Sequence, residues 1–114
     1  MSSLPDLRVG QGFDVHRFTD DPERVLVLGG CVFDGEPGLA GHSDADVVAH
    51  ACADALLGAA GLGDIGMHFP DTAAEWAGAD SMRLLAHTVA LVGADGWGAV
   101  SYTHLRAHET NDLI

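Results

Sequence analysis

HSDADVVAHACADALLGAAGLGDIG, residues 42–66, decides the class of this fold. Ser43 followed three positions later by Asp46 fits an S-x-x-D helix start. Val47, Ala51 and Ala55 then recur at helical spacing, with Val48 and Leu56 beside them. Gly58, Gly61 and Gly63 end the helix, GDIG reads as a tight loop, and HFPDT (68–72) as a second loop. Downstream, Ser81 to Val92 forms a second amphipathic helix with Met82, Leu85, Val89 and Val92 on one stripe, and GADGW (93–97) is a turn. Upstream, LRVGQGFDVH (7–16) reads as a strand with Gly10 and Gly12 inside it. VLVLGGCVF (25–33) is a second strand signal, interrupted by Gly29-Gly30, and DGEPG (34–38) is a turn. There is no internal repeat. Strands and helices are mixed, so the expected class is α/β or α+β.

The chain has 114 residues, enough for one small domain. Its formal net charge of -12 argues against nucleic-acid binding through a basic surface. It leaves an anionic substrate open, because a metal ion reverses the field locally. Cys31 and Cys52 form no CxxC pair and sit among apolar residues, which predicts reduced, buried thiols in a cytoplasmic protein. MSSLPDL lacks the basic and apolar regions of a signal peptide. No apolar run approaches the roughly 20 residues of a membrane span, so no membrane partner is expected.

The chemistry concentrates in GFDVHRF, residues 12–18. On a strand, Asp14 and His16 share one face, with Phe13 and Val15 on the other. On the first helix, His50 lies four residues after Asp46 and four before Asp54, so all three share a face. That is either a metal ligand oriented by an acid or a solvated polar stripe. Asp14, His16 and His50 together are a set that zinc accepts, with a fourth position open; nickel, manganese and iron tolerate it too. His42-Ser43 at the helix start is either an anion site or an ordinary N-cap. Asp64, between glycines, is either a hydrogen-bond acceptor for sugar hydroxyls or part of a plain turn. His68, His87, His104 and His108 show no partner pattern and read as surface residues.

In order, RVGQGFDVH, LGG, GLAGHSDADVVAHACADALLGAAGLGDIG, HFPDT and GADS closely resemble the 2-C-methyl-D-erythritol 2,4-cyclodiphosphate synthase family, from about Arg8 to about Trp97. The resemblance implies zinc held by Asp14, His16 and His50, and magnesium or manganese at the diphosphate. It implies substrate contacts at Asp14, Val15 and His16. His42 and Ser43 would meet the substrate phosphates, with His42 stabilising the transition state. Asp64, Ile65 and Gly66 would meet the ribose of a cytidine nucleotide. Phe69, Pro70, Asp71 and Thr72 match a substrate loop, and Ala73 stands where that loop commonly ends in an acid. The implied reaction is intramolecular: the 2-phosphate of 4-diphosphocytidyl-2-C-methyl-D-erythritol 2-phosphate attacks the β-phosphorus, CMP leaves and a cyclic diphosphate forms. The implied fold is a mixed β-sheet with helices on one face, in a ferredoxin-like, bacillus chorismate mutase-like arrangement. It assembles as a homotrimer with active sites between subunits.

The resemblance stops after GADGW. GAVSYTHLRAHETNDLI (98–114) matches none of the strand, cytidine loop, helix and Thr-x-x-Glu segment that follow in the family. Residues 1–99 are therefore expected to be the N-terminal portion of one synthase domain, and 100–114 a non-native or disordered tail. Such a chain is expected to expose apolar sheet surface and to be inactive by itself. A fusion to the preceding pathway enzyme is not expected, since seven residues precede Arg8. Two other functions compete: a metal-dependent phosphohydrolase with the same ligands, and a non-catalytic zinc-binding fragment.

Overall fold

A computed structural model describes residues 6–41, 43–70 and 80–99. Its elements are β1 (Leu26–Leu28), β2 (Cys31–Phe33), α1 (Val47–Ala60), α2 (Ile65–His68) and α3 (Ser81–Ala94). Helices and strands are mixed, as expected. Among the described residues, the sheet is a two-stranded hairpin.

VLVLGGCVF is that hairpin rather than one interrupted strand. Leu26 pairs with Phe33, Val27 with Val32 and Leu28 with Cys31, antiparallel. Gly29 and Gly30 have φ of 60° and 81°. Two consecutive left-handed residues make the tight turn whose twist suits a hairpin, and glycine enters it without strain. Farther back, Phe18 bridges Leu39, with Thr19 N–H donating to the Gly38 carbonyl (2.9 Å) and Ala40 N–H to the Arg17 carbonyl (2.8 Å).

Helix α1 starts three residues later than the S-x-x-D reading places it. Its N-cap is Asp46, whose carboxylate accepts from Ala49 N–H at 3.1 Å. The same carboxylate accepts from Gly29 N–H and Gly30 N–H, each at 2.7 Å. One side chain thus caps the helix and pins the hairpin turn, and Ser43 has no comparable set of donors to gather. At the other end, Gly61 is left-handed (φ 72°); its N–H donates to the Gly58 carbonyl and Leu62 N–H to the Leu57 carbonyl, a Schellman close.

Helix α3 buries Ser81, Leu84, Thr88 and Val92. The apolar stripe proposed above is therefore shifted: Val92 is buried and Leu85 half-buried, but Met82 and Val89 are exposed. The reason is the partner surface. α3 packs on α1, whose Ala49, Ala53 and Leu57 are fully buried, and Ala53 is clustered with Leu84 of α3. Thr88 is tolerated there because its hydroxyl donates to the Leu84 carbonyl at 3.0 Å. Phe69 completes the core against Ala53 and Leu84. Among the described residues no helix is long and apolar enough to cross a membrane.

LRVGQGFDVH forms no strand ladder. It rides along α1 instead. Arg8 donates to the Ala59 carbonyl and covers the Trp97 ring at 4.5 Å. A Cβ on Gly10 would meet the Ala55 carbonyl oxygen at 1.9 Å, and one on Gly12 the Ala51 oxygen at 1.7 Å. Two extended residues advance about 6.6 Å and four helical residues about 6 Å, so every second residue meets the next turn of α1. Burial alternates accordingly: Gly10, Gly12, Asp14 and His16 face the helix, while Val9, Phe13 and Val15 are exposed. The alternation expected of a strand is present without the strand: its partner is a helix, and glycine is what allows that contact.

Candidate metal centre

The same spacing carries Asp14 and His16 to the first turn of α1, where His50 waits. Asp14 Oδ2 lies 2.9 Å from His16 Nε2 and 3.1 Å from His50 Nδ1, and the two ring nitrogens are 3.3 Å apart. Among the described residues, these three form the one group of carboxylate, imidazole or thiol donors close enough to share an ion. Their side chains are 20%, 15% and 9% exposed, so the cluster is nearly closed but reachable.

The triangle fits a metal. Bonds of about 2.0–2.2 Å in tetrahedral geometry put ligand atoms about 3.3 Å apart, close to the three observed edges. His16 Nδ1 sits 2.8 Å from the Ala40 carbonyl, which only accepts; that nitrogen therefore carries the hydrogen, and Nε2 offers its lone pair to the centre. Asp14 is held below its ordinary value of 3.8. Burial alone would raise it; the charge of the His50 and His16 rings when protonated, and the hydrogen bonds they then give, outweigh that cost.

The flanking acids do not orient His50, contrary to the shared-face reading. Asp46 is committed to the hairpin and cap, and Asp54 Oδ1 accepts from Ile65 N–H at 2.8 Å. The outer nitrogen of His50 instead faces Ser81 Oγ at 2.8 Å and Ser43 Oγ at 3.3 Å. Ser81 and its neighbour Asp44 escaped the sequence reading; Ser81 registered there only as a helix start. Arg24 escaped it too. Its guanidinium donates to the carbonyls of Leu39, Gly41 and Ser43, stapling the loop that leads to α1.

The remaining candidates are dispersed. Ser43 is buried and its hydroxyl is engaged with Ala45 N–H, His50 and Ser81, which turns it inward. GDIG is not a plain loop: Asp64 caps the single-turn α2, accepting from Met67 N–H at 3.0 Å, and Ile65 and Gly66 lie on that turn. The Phe69 side chain is in the core, Pro70 is exposed, and Val15 points away from its two ligand neighbours. His68 is half-buried with Nε2 on the Leu62 carbonyl, and His87 is exposed but meets Phe69 edge-on. Both cysteines are free. Cys31 is exposed on β2 rather than buried; Cys52 is half-buried, and burial together with the Asp46 charge pushes its thiol up. His42, Asp71, Thr72, Ala73, His104, His108 and the 100–114 segment lie outside the described residues.

Comparison with known proteins adds to this geometry. A protein-family model described as YgbB family matches residues 7–105. The chain is 56% identical over 102 residues to the 2-C-methyl-D-erythritol 2,4-cyclodiphosphate synthase of Synechococcus sp. (strain CC9311), an alignment covering 88% of this chain and 60% of that protein. It is 57% identical over 98 residues to the synthase of the same name from Neisseria meningitidis (strain FAM18), covering 86% and 60%. A solved structure of a 2C-methyl-D-erythritol-2,4-cyclodiphosphate synthase in its CDP-bound form superposes with a TM-score of 0.70 at 45% identity, over 78% of this chain and 58% of that one. The chain spans about 60% of the length of these curated relatives.

Proposed function

The chain belongs to the YgbB family, and we propose that the protein carrying it converts 4-diphosphocytidyl-2-C-methyl-D-erythritol 2-phosphate to the 2,4-cyclodiphosphate with release of CMP. The observation that carries this is the donor triangle of Asp14, His16 and His50, with edges of 2.9, 3.1 and 3.3 Å. These residues would hold zinc. When bound, zinc supplies a Lewis acid and template for phosphoryl oxygens, a contribution of several kcal/mol. The reading includes a second divalent ion, magnesium or manganese, which would neutralise charge on the diphosphate.

The nucleophile is already an anion, so the chain needs no strong base. A 2-phosphate oxygen forms a bond to the β-phosphorus, and the bond from that phosphorus to the oxygen bridging to CMP breaks. The bridging oxygen leaves with CMP. The chain's task is to hold two negative groups end to end, and alignment of that kind can be worth about 7–11 kcal/mol. His42 and Ser43 are assigned to the phosphates, Asp64, Ile65 and Gly66 to the ribose, and Phe69, Pro70, Asp71, Thr72 and Ala73 to the rest of the substrate. Val15, Ser43 and Phe69 would act through their backbones, since their side chains point elsewhere. The reading includes a ferredoxin-like protomer, a homotrimer and a cytoplasmic setting.

Phosphorus NMR of the products tests the proposal, using the protein with this substrate, zinc and magnesium. A cyclic diphosphate together with CMP supports it. Inorganic phosphate would make the protein a phosphohydrolase. Zinc near one per chain with no turnover would leave a non-catalytic zinc site.

A further inference from the structure

The wall behind His50 consists of Ser43, Ser81 and Asp44, and the order of donors in it is determined. Ser81 is fully buried at the first position of α3. Its N–H donates to Asp44 Oδ2 at 3.0 Å, and its hydroxyl donates to Asp44 Oδ1 in a short hydrogen bond. A carboxylate has no hydrogen to give, so the single hydroxyl hydrogen of Ser81 is spent on Asp44. Asp44 is itself held by Asp46 N–H at 3.1 Å, at the N-terminal end of α3.

Ser81 Oγ therefore meets His50 Nε2, 2.8 Å away, as an acceptor. Nε2 must carry the hydrogen. Ser43, whose Oγ is 3.1 Å from Ser81 Oγ, can donate to the second lone pair and complete the set. Neutral imidazole has one N–H, so His50 Nδ1 is left bare, and it is the atom that faces Asp14 and His16. The arrangement is a carboxylate–histidine pair with one hydroxyl interposed, of the kind that fixes a metal-binding imidazole and raises its basicity.

We propose that Asp44 and Ser81 are positioning residues that lock His50 in its Nε2–H tautomer and so keep Nδ1 open to a divalent cation. The cation part of this rests on the zinc reading above; the tautomer part does not. The test therefore has two readouts. Nitrogen-15 spectra of the metal-free chain at about pH 8, above the ordinary histidine pKa of about 6.5, report the tautomer directly. The parent should show His50 as Nε2–H, and Nδ1–H or a doubly protonated ring in the parent would overturn the proposal. In Ser81→Ala the signal should move to a tautomer mixture while the rest of the spectrum holds.

Zinc affinity, measured by competition against a chromophoric chelator, is the second readout. It should weaken by about 10–100-fold in Ser81→Ala and return towards the parent in Ser81→Thr, which restores a hydroxyl. Equal zinc affinity in the parent and a folded Ser81→Ala would overturn the lock's role in binding. A parent that shows the Nε2–H tautomer yet binds no zinc would sink the zinc reading and leave the lock standing. Should Ser81→Ala fail to fold by circular dichroism, the parent tautomer and the Ser81→Thr affinity still decide.

Discussion

Gly12→Ala isolates what places the metal ligands. The added Cβ would stand 1.7 Å from the Ala51 carbonyl oxygen, 2.7 Å from its carbon and 2.9 Å from Ala55 N. All three are backbone atoms of α1, held in its hydrogen-bond ladder, so they cannot swing aside. A carbon–oxygen contact of about 3.3 Å requires the segment to lift by more than about 1 Å. Asp14 is two residues farther along and is carried outward with it. Metal–ligand distances tolerate about 0.2 Å. The displacement therefore removes at least one ligand, and zinc affinity should fall by about 100-fold or more, or about 2.8 kcal/mol. Overpacking should also lower stability without metal by about 1–3 kcal/mol. Gly58→Ala adds the same methyl group to the exposed side of α1, where nothing lies within 4 Å. That change should stabilise by about 0.5–1 kcal/mol and leave zinc binding alone. Chelator competition and urea unfolding read both quantities. Parent-like zinc affinity in Gly12→Ala, or equal losses in the two variants, would refute the reasoning.

Three other expectations follow from the geometry. Because Asp14 is held below 3.8, its contribution to the metal-free fold is present above that pH and disappears as the pH falls through the lowered value; the stability deficit of Asp14→Asn in urea should shrink on acidification, and a pH-independent deficit would contradict the assignment. Asp46→Ala removes the cap of α1 and both hairpin anchors, and should cost about 2 kcal/mol or more in urea unfolding. Arg24→Lys replaces a planar fork that reaches three carbonyls with one ammonium; amide exchange at Leu39, Ala40, Gly41 and Ser43 should quicken and stability fall by about 1–2 kcal/mol, whereas unchanged exchange would show that the staple is idle.

Much of this was legible from residue spacing. The two long helices follow from apolar recurrence at helical period and from glycine stops, and the ligand trio from one two-residue step plus one histidine on a helix. What was not legible depended on partners far along the chain. Ser43 and Asp46 are both good cap residues, and the choice falls to Asp46 because the Gly29 and Gly30 amides, 16–17 residues away, dock on it. The buried stripe of α3 includes Ser81 and Thr88, which hydropathy assigns to solvent; their partners Asp44 and the Leu84 carbonyl make burial tolerable. Residues 7–16 carry a strand period with the apolar side outward, and only the closeness of Gly10 and Gly12 to α1 explains why.

Asp14 and His50 are 36 residues apart, and the hairpin lies between them. Bridging them through an ion closes a loop as a cross-link would, at an entropic cost of about 4 kcal/mol for an otherwise free chain. The hairpin and α1 form from local contacts and are already joined through Asp46, which shortens the free span to the approach of residues 8–16. That strip has no ladder of its own; it meets α1 edge-on, with Arg8 over Trp97 and His16 on the Ala40 carbonyl as its outer holds. With so few backbone hydrogen bonds it is expected to dock after the hairpin and α1 and to open before them. Release of an ion from this centre would then be timed by the unzipping of the strip from α1, turn by turn, more than by the strength of any single ligand bond.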